Sequence, residues 1–110
     1  MDLSAYQTLY IIEARRCLEE LQRQLARLEA GALGPEGLEA AHRAAHTLKG
    51  DSATMGYEEL AALAYEIEAP LKRAVQEGLP LPADLAVTLK AALIRLEEAL
   101  AAMNQPAPRV

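Results

Sequence analysis

Two histidines, His42 and His46, stand four residues apart, and Lys49 and Gly50 follow three and four residues beyond the second. An imidazole near neutral pH is a nucleophile, a proton acceptor or a metal ligand. A lysine one helical turn away puts a flexible cation where an anion attached to that imidazole would sit. On a helix, positions 42, 46, 49, 50 and 53 share one face by steps of three and four. A glycine inside a helix costs about 1 kcal/mol relative to alanine, so Gly50 needs a reason. With no side chain at 50 and only a methyl at Ala53, His46 is left open to a large partner or a bulky adduct. The other reading of Gly50 is that it lets a second helix pack closely. Further along, Ala61, Tyr65, Glu68 and Lys72 form a stripe beside a core face, from which Glu68 could reach an imidazole nitrogen and select its tautomer.

Other chemistries fit less well. His42 and His46 are an i, i+4 pair, and Glu39-Ala40-Ala41-His42 has the spacing of a carboxylate-bridged di-iron motif. Such a centre needs a matching motif on a second helix, and both histidines lie in one segment, so no metal is expected and His42 reads as a surface or boundary residue. No Ser-His-Asp set and no phosphate-cradling glycine loop supports a hydrolase. Cys17 falls on an apolar stripe and reads as a small core residue. Asp51 could line the face around His46, with a solvated carboxylate as the default. Tyr6, Tyr10 and Tyr57 read as packing residues, and Met55 lies on the core stripe.

The elements that must hold these residues are helices. The 110-residue chain is 52% hydrophobic and carries a net charge of −5, with no Phe or Trp. Ala and Leu dominate while β-branched residues are scarce, which points to an all-α domain. One domain fits the length. The single cysteine excludes an internal disulfide and suits a reducing compartment, so the expected location is the cytoplasm. No apolar run approaches the ~20 residues of a membrane span, and Met1-Asp2-Leu3 does not open like a secretory signal. The acidic balance, without a basic and aromatic stripe, argues against nucleic acid or an anionic membrane and for a protein partner.

Gly31 to Pro35, Gly56, Gly78 to Pro82 and Asn104 onward punctuate the chain into four helical blocks. The first runs from about Ser4 to Ala30, with Tyr6, Tyr10, Ala14, Cys17, Leu21, Leu25 and Leu28 on one face. The second starts at Pro35 and carries Leu38, Ala41, Ala45, Leu48, Ser52 and Met55 before a stop at Gly56. The third buries Leu60, Leu63, Ile67, Leu71 and Ala74. Pro70 should kink it about one turn earlier or end it. The fourth buries Leu85, Leu89, Ala92, Leu96, Leu100 and Met103. Short connections predict an antiparallel up-down-up-down four-helix bundle over 1–104. Residues 105–110, with two prolines, read as a tail or the start of a linker.

The run His46-Thr47-Leu48-Lys49-Gly50-Asp51-Ser52-Ala53-Thr54-Met55-Gly56 resembles the signature of histidine-containing phosphotransfer (HPt) domains. With Arg43-Ala44-Ala45 before it and Tyr57 after it, it is most like the domain at the N-terminus of CheA-type chemotaxis kinases. The likeness extends from about Ile11 to Met103, mostly as helix pattern outside the motif. The resemblance implies that Nε2 of His46 is phosphorylated by an ATP-dependent histidine kinase domain and passes the phosphoryl group to an aspartate of a response-regulator receiver. It implies that Lys49 helps hold the phosphate, that Gly50 leaves room for it and that Glu68 hydrogen-bonds Nδ1. Where the CheA pattern commonly has a second histidine three residues before that glutamate, this chain has Tyr65. The domain is then a phosphocarrier with no ATP site of its own, standing alone or as the phosphotransfer domain of a larger histidine kinase, monomeric when isolated and with no cofactor; ATP and Mg²⁺ belong to the partner domains. The competing reading is a non-catalytic interaction or dimerisation bundle.

Overall fold

The four punctuated blocks become four helices. The computed structural model describes residues 3–103, which contain α1 (Leu3–Glu29), α2 (Pro35–Thr54), α3 (Glu58–Glu77) and α4 (Leu85–Met103). The expected tail at 105–110 and the boundary at 104 lie outside the described residues. Each helix packs on two neighbours, α1 on α2 and α4, and α3 on α2 and α4, which closes a ring around one core. Side-chain pairs fix the directions. Tyr10 near the start of α1 meets Ser52 near the end of α2, and Arg15 in the first half of α1 meets Glu97 in the second half of α4. The result is an elongated antiparallel bundle of 50 × 23 × 19 Å.

The stripes named from sequence form most of this core. Ala14, Cys17, Leu21, Ala45, Leu48, Leu63, Ile67, Leu71, Leu96 and Leu100 are all buried. Each fully buried leucine contributes on the order of 1.5–3 kcal/mol through the apolar area removed from water. Burial pushes the Cys17 thiol up to about 11, with the carboxylates of Glu13 and Asp51 adding to the effect, so it is an inert core residue. Leu28, Leu38, Met55 and Met103 pack only partly against the core. Tyr6 does not pack: it is 52% exposed. Tyr10 already meets the end of α2, through Ser52 and an edge-on contact with the Tyr57 ring at 4.9 Å. Tyr6, one turn earlier, overhangs that end.

The α2–α3 connection is short because α2 ends in a complete hydrogen-bonded cap. Gly56 adopts φ +76°, Gly56 N donates to Ala53 O, and Tyr57 N donates to Ser52 O. This is the paired pattern in which a left-handed residue satisfies the last carbonyls, and glycine adopts it without Cβ strain. Pro70 neither ends α3 nor shortens it, since the helix continues to Glu77. The carbonyl it leaves without an amide belongs to Glu66, whose residue is exposed.

Candidate functional site

On α2 the small residues Ala41 and Ala45, beside His42 and His46, are buried and let α3 approach closely. That approach decides the position of Glu68. At 100° per residue it lies roughly 80° round from Leu60, at the edge of the α3 core stripe. Sequence periodicity places it on the flank with Ala61, Tyr65 and Lys72, yet it is 2% exposed and belongs to the buried set. The stripe is wider on this side because α2 covers it.

A buried carboxylate is costly unless other groups donate to it. Glu68 has two such donors from α2. Lys49 Nζ donates to Oε1 at 2.5 Å, and His46 Nδ1 lies 2.5 Å from Oε2. Burial pushes the Glu68 carboxyl up, but the hydrogen bonds from Lys49 and His46 outweigh it and leave the group below its ordinary range. An ionised carboxylate only accepts, so the proton at this contact sits on Nδ1 of His46. The neutral ring then carries its lone pair on Nε2. The His46 side chain is 66% exposed, so this lone pair belongs to a nucleophile at the surface.

The surroundings are shaped for access. Gly50 and Ala53 are exposed on the same face. A methyl placed on Gly50 would meet no atom within 4 Å, so no neighbouring helix requires glycine there. Of the two readings of Gly50, close helix packing is the one the fold removes. Lys49 is 30% exposed, its ammonium 5.9 Å from the centroid of the exposed Tyr65 ring, within reach of a cation–π attraction. Tyr65 thus adjoins the lysine while Glu68 is served from α2. Asp51 is half-buried, and desolvation, with Glu13 adding to it, raises its carboxyl above the ordinary range.

Of the surface and boundary readings of His42, the structure bears out the boundary one: its side chain is 14% exposed, and Nε2 lies 3.8 Å from Glu68 Oε2. Periodicity put it on the His46 face, but only the closeness of α3 shows that it is covered. Among the described residues, no three or more His, Cys, Asp and Glu side chains gather as a metal-binding set.

The bundle that carries this site has counterparts among known domains. The sequence profile of the Hpt domain family matches residues 5–105. The chain belongs to the Hpt domain family. This Hpt domain is 42% identical over 71 residues to chemotaxis protein CheA of Bacillus subtilis, a match covering 62% of the chain and 10% of that protein. It is 33% identical over 85 residues to CheA of Klebsiella aerogenes, covering 77% of the chain and 13% of the relative. The chain therefore spans about a tenth of the curated relatives it matches. In three dimensions it is similar to the CheA phosphotransferase domain from Thermotoga maritima, with a TM-score of 0.83 and 26% identity over 96% of this chain and 100% of that one. No helix among the described residues is long and apolar enough to cross a membrane.

Proposed function

We propose that this Hpt domain carries a phosphoryl group on Nε2 of His46 in a chemotaxis-type relay, between an ATP-dependent histidine kinase domain and the receiver domain of a response regulator. The observation that carries the reading is the division of one imidazole: Nδ1 fixed to a buried carboxylate, Nε2 presented to solvent. In the loading step the Nε2 lone pair attacks the γ-phosphorus of ATP; the N–P bond forms and the bond to the ADP oxygen breaks. In the unloading step a receiver carboxylate oxygen attacks phosphorus, and the electron pair of the N–P bond returns to Nε2. The Nδ1 proton stays on its hydrogen bond to Glu68 throughout.

Phosphoryl transfer asks a carrier for a positioned nucleophile and a nearby cation, while metal and nucleotide come from the partner. Lys49 supplies the cation, and the open surface over Gly50 and Ala53 supplies room for the docking partner. The natural setting of such a relay is the cytoplasm, and the isolated domain is expected to act as a monomer.

The test is incubation with Mg²⁺-ATP and a CheA-type kinase core, followed by mass spectrometry and acid and alkali treatment. Acid-labile, alkali-stable label on His46, discharged by a receiver domain and absent from a folded His46→Gln variant, is the expected result. A well-folded protein that takes no label from several kinase cores would overturn the reading.

A further inference from the structure

Glu68 Oε2 accepts from His46 and also faces a second imidazole. His42 Nε2 is buried, has no hydrogen-bond partner and lies 3.8 Å from that same oxygen. The two histidine rings are 6.2 Å apart, tilted by 38°, so they approach the carboxylate side by side from consecutive turns of α2. A carboxylate offers about four lone-pair positions, and only two are filled here. Buried polar atoms are nearly always paired, so an orphan beside a reactive group calls for an explanation.

The explanation lies in what the other donor must do. Lys49 is bonded to Glu68 Oε1. On the reading of His46 as the phosphoryl carrier, on which this inference rests, a phosphoryl dianion on Nε2 draws the same ammonium outward. Glu68 would then lose a donor while remaining out of contact with water. We infer that His42 is a positioning residue of this site: its Nε2–H is a reserve donor to Glu68 Oε2, holding the carboxylate aimed at His46 Nδ1 when Lys49 turns to the phosphoryl group. Closing the gap from 3.8 Å to ordinary hydrogen-bond length needs less than about 1 Å of motion, a small tilt of a mostly covered imidazole. In the resting protein the pair is cocked; in the loaded protein it is joined.

The chain has only two histidines, so ¹⁵N imidazole spectra of the whole domain are assigned with the His46→Gln variant alone. Three forms are compared: wild type, His42→Phe, which keeps a ring and removes the donor, and His42→Gln, which restores an N–H. In wild type, Nε2 of His42 is expected to carry a proton, and its resonance to move in the hydrogen-bonding direction when His46 is loaded by a kinase core with Mg²⁺-ATP. His42→Phe should lower the Nδ1–H fraction of His46 and slow transfer to a receiver by about tenfold, the scale of losing an outer partner of a reactive group. His42→Gln should restore both. A lone pair on Nε2 of wild-type His42 would overturn the inference, whether or not either variant folds. So would a folded His42→Phe protein with unchanged tautomer and rate. Failure of wild type to accept phosphate sinks the carrier reading instead, and the tautomer spectra of the unloaded protein still decide the His42–Glu68 contact.

Discussion

Gly50→Ala should move stability and transfer in opposite directions. Gly50 lies inside α2, four residues before its last residue, and a Cβ there meets nothing within 4 Å. The folded domain therefore has no steric objection to alanine, and helix propensity favours it by about 1 kcal/mol. For a domain near this size, that corresponds to a rise in melting temperature of roughly 4–8 °C. The same methyl stands on the open surface beside His46, where the proposed relay brings a kinase or receiver to bonding distance. Overfilling a packed contact costs about 1–3 kcal/mol, and each 1.4 kcal/mol is a factor of ten, so transfer should slow by about one to two orders of magnitude. The assay pairs thermal unfolding by circular dichroism with rapid-quench transfer of labelled phosphate to a receiver. Gly50→Leu, also a good helix former, should keep much of the stabilisation and deepen the loss of rate. A destabilised Gly50→Ala protein would refute the structural argument, and unchanged transfer would refute the assignment of this surface to the partner.

Lys49→Ala should slow transfer at low salt and shorten retention of the phosphoryl group; equal rates at low salt would remove the electrostatic role. Because the folded Glu68 carboxyl lies below its ordinary range, the unfolded chain binds its proton first as pH falls. The stability due to Glu68 is thus fully present above the ordinary carboxylate range and is lost as pH drops through it toward the folded value. Melting temperature against pH should show this loss in wild type and a flatter acid limb in Glu68→Gln. Tyr10→Phe removes the partner of the buried Ser52 hydroxyl, bonded to it at 2.7 Å, and should cost about 1–3 kcal/mol in denaturant unfolding. Adding Ser52→Ala should recover part of that, since it deletes the orphan.

The four helices were legible because their stripes are long and their punctuation is glycine and proline in the positions where helices start and stop. Gly56 illustrates it, being both the sequence stop signal and the residue at positive φ. His46, Lys49 and Gly50 were legible because one helix carries all three at fixed spacing. What crosses between helices was harder to read. The burial of Glu68 and of the His42 Nε2 atom depends on how closely α2 and α3 approach, which a periodicity confined to one helix does not contain. The exposure of Tyr6 has the same origin: its stripe is regular, but the neighbouring helix stops short of it. Of the two effects expected at Pro70, ending the helix is the one that does not occur: Ile67, Glu68 and Leu71 on either side of it are buried in the core and α3 runs on to Glu77.

The three residues Met55, Gly56 and Tyr57 between α2 and α3 do more than reverse the chain. Their backbone bonds leave no slack, so they set the register at which residue 68 faces residue 46. Insertions among residues 79–84 or 30–34 would lengthen loops remote from the carboxylate contact and leave its alignment alone. One extra residue at 55–57 would break the cap or rotate α3 by about a quarter turn, carrying the glutamate away from the imidazole. Length variation in this fold is thus free at one end of the molecule and forbidden at the other.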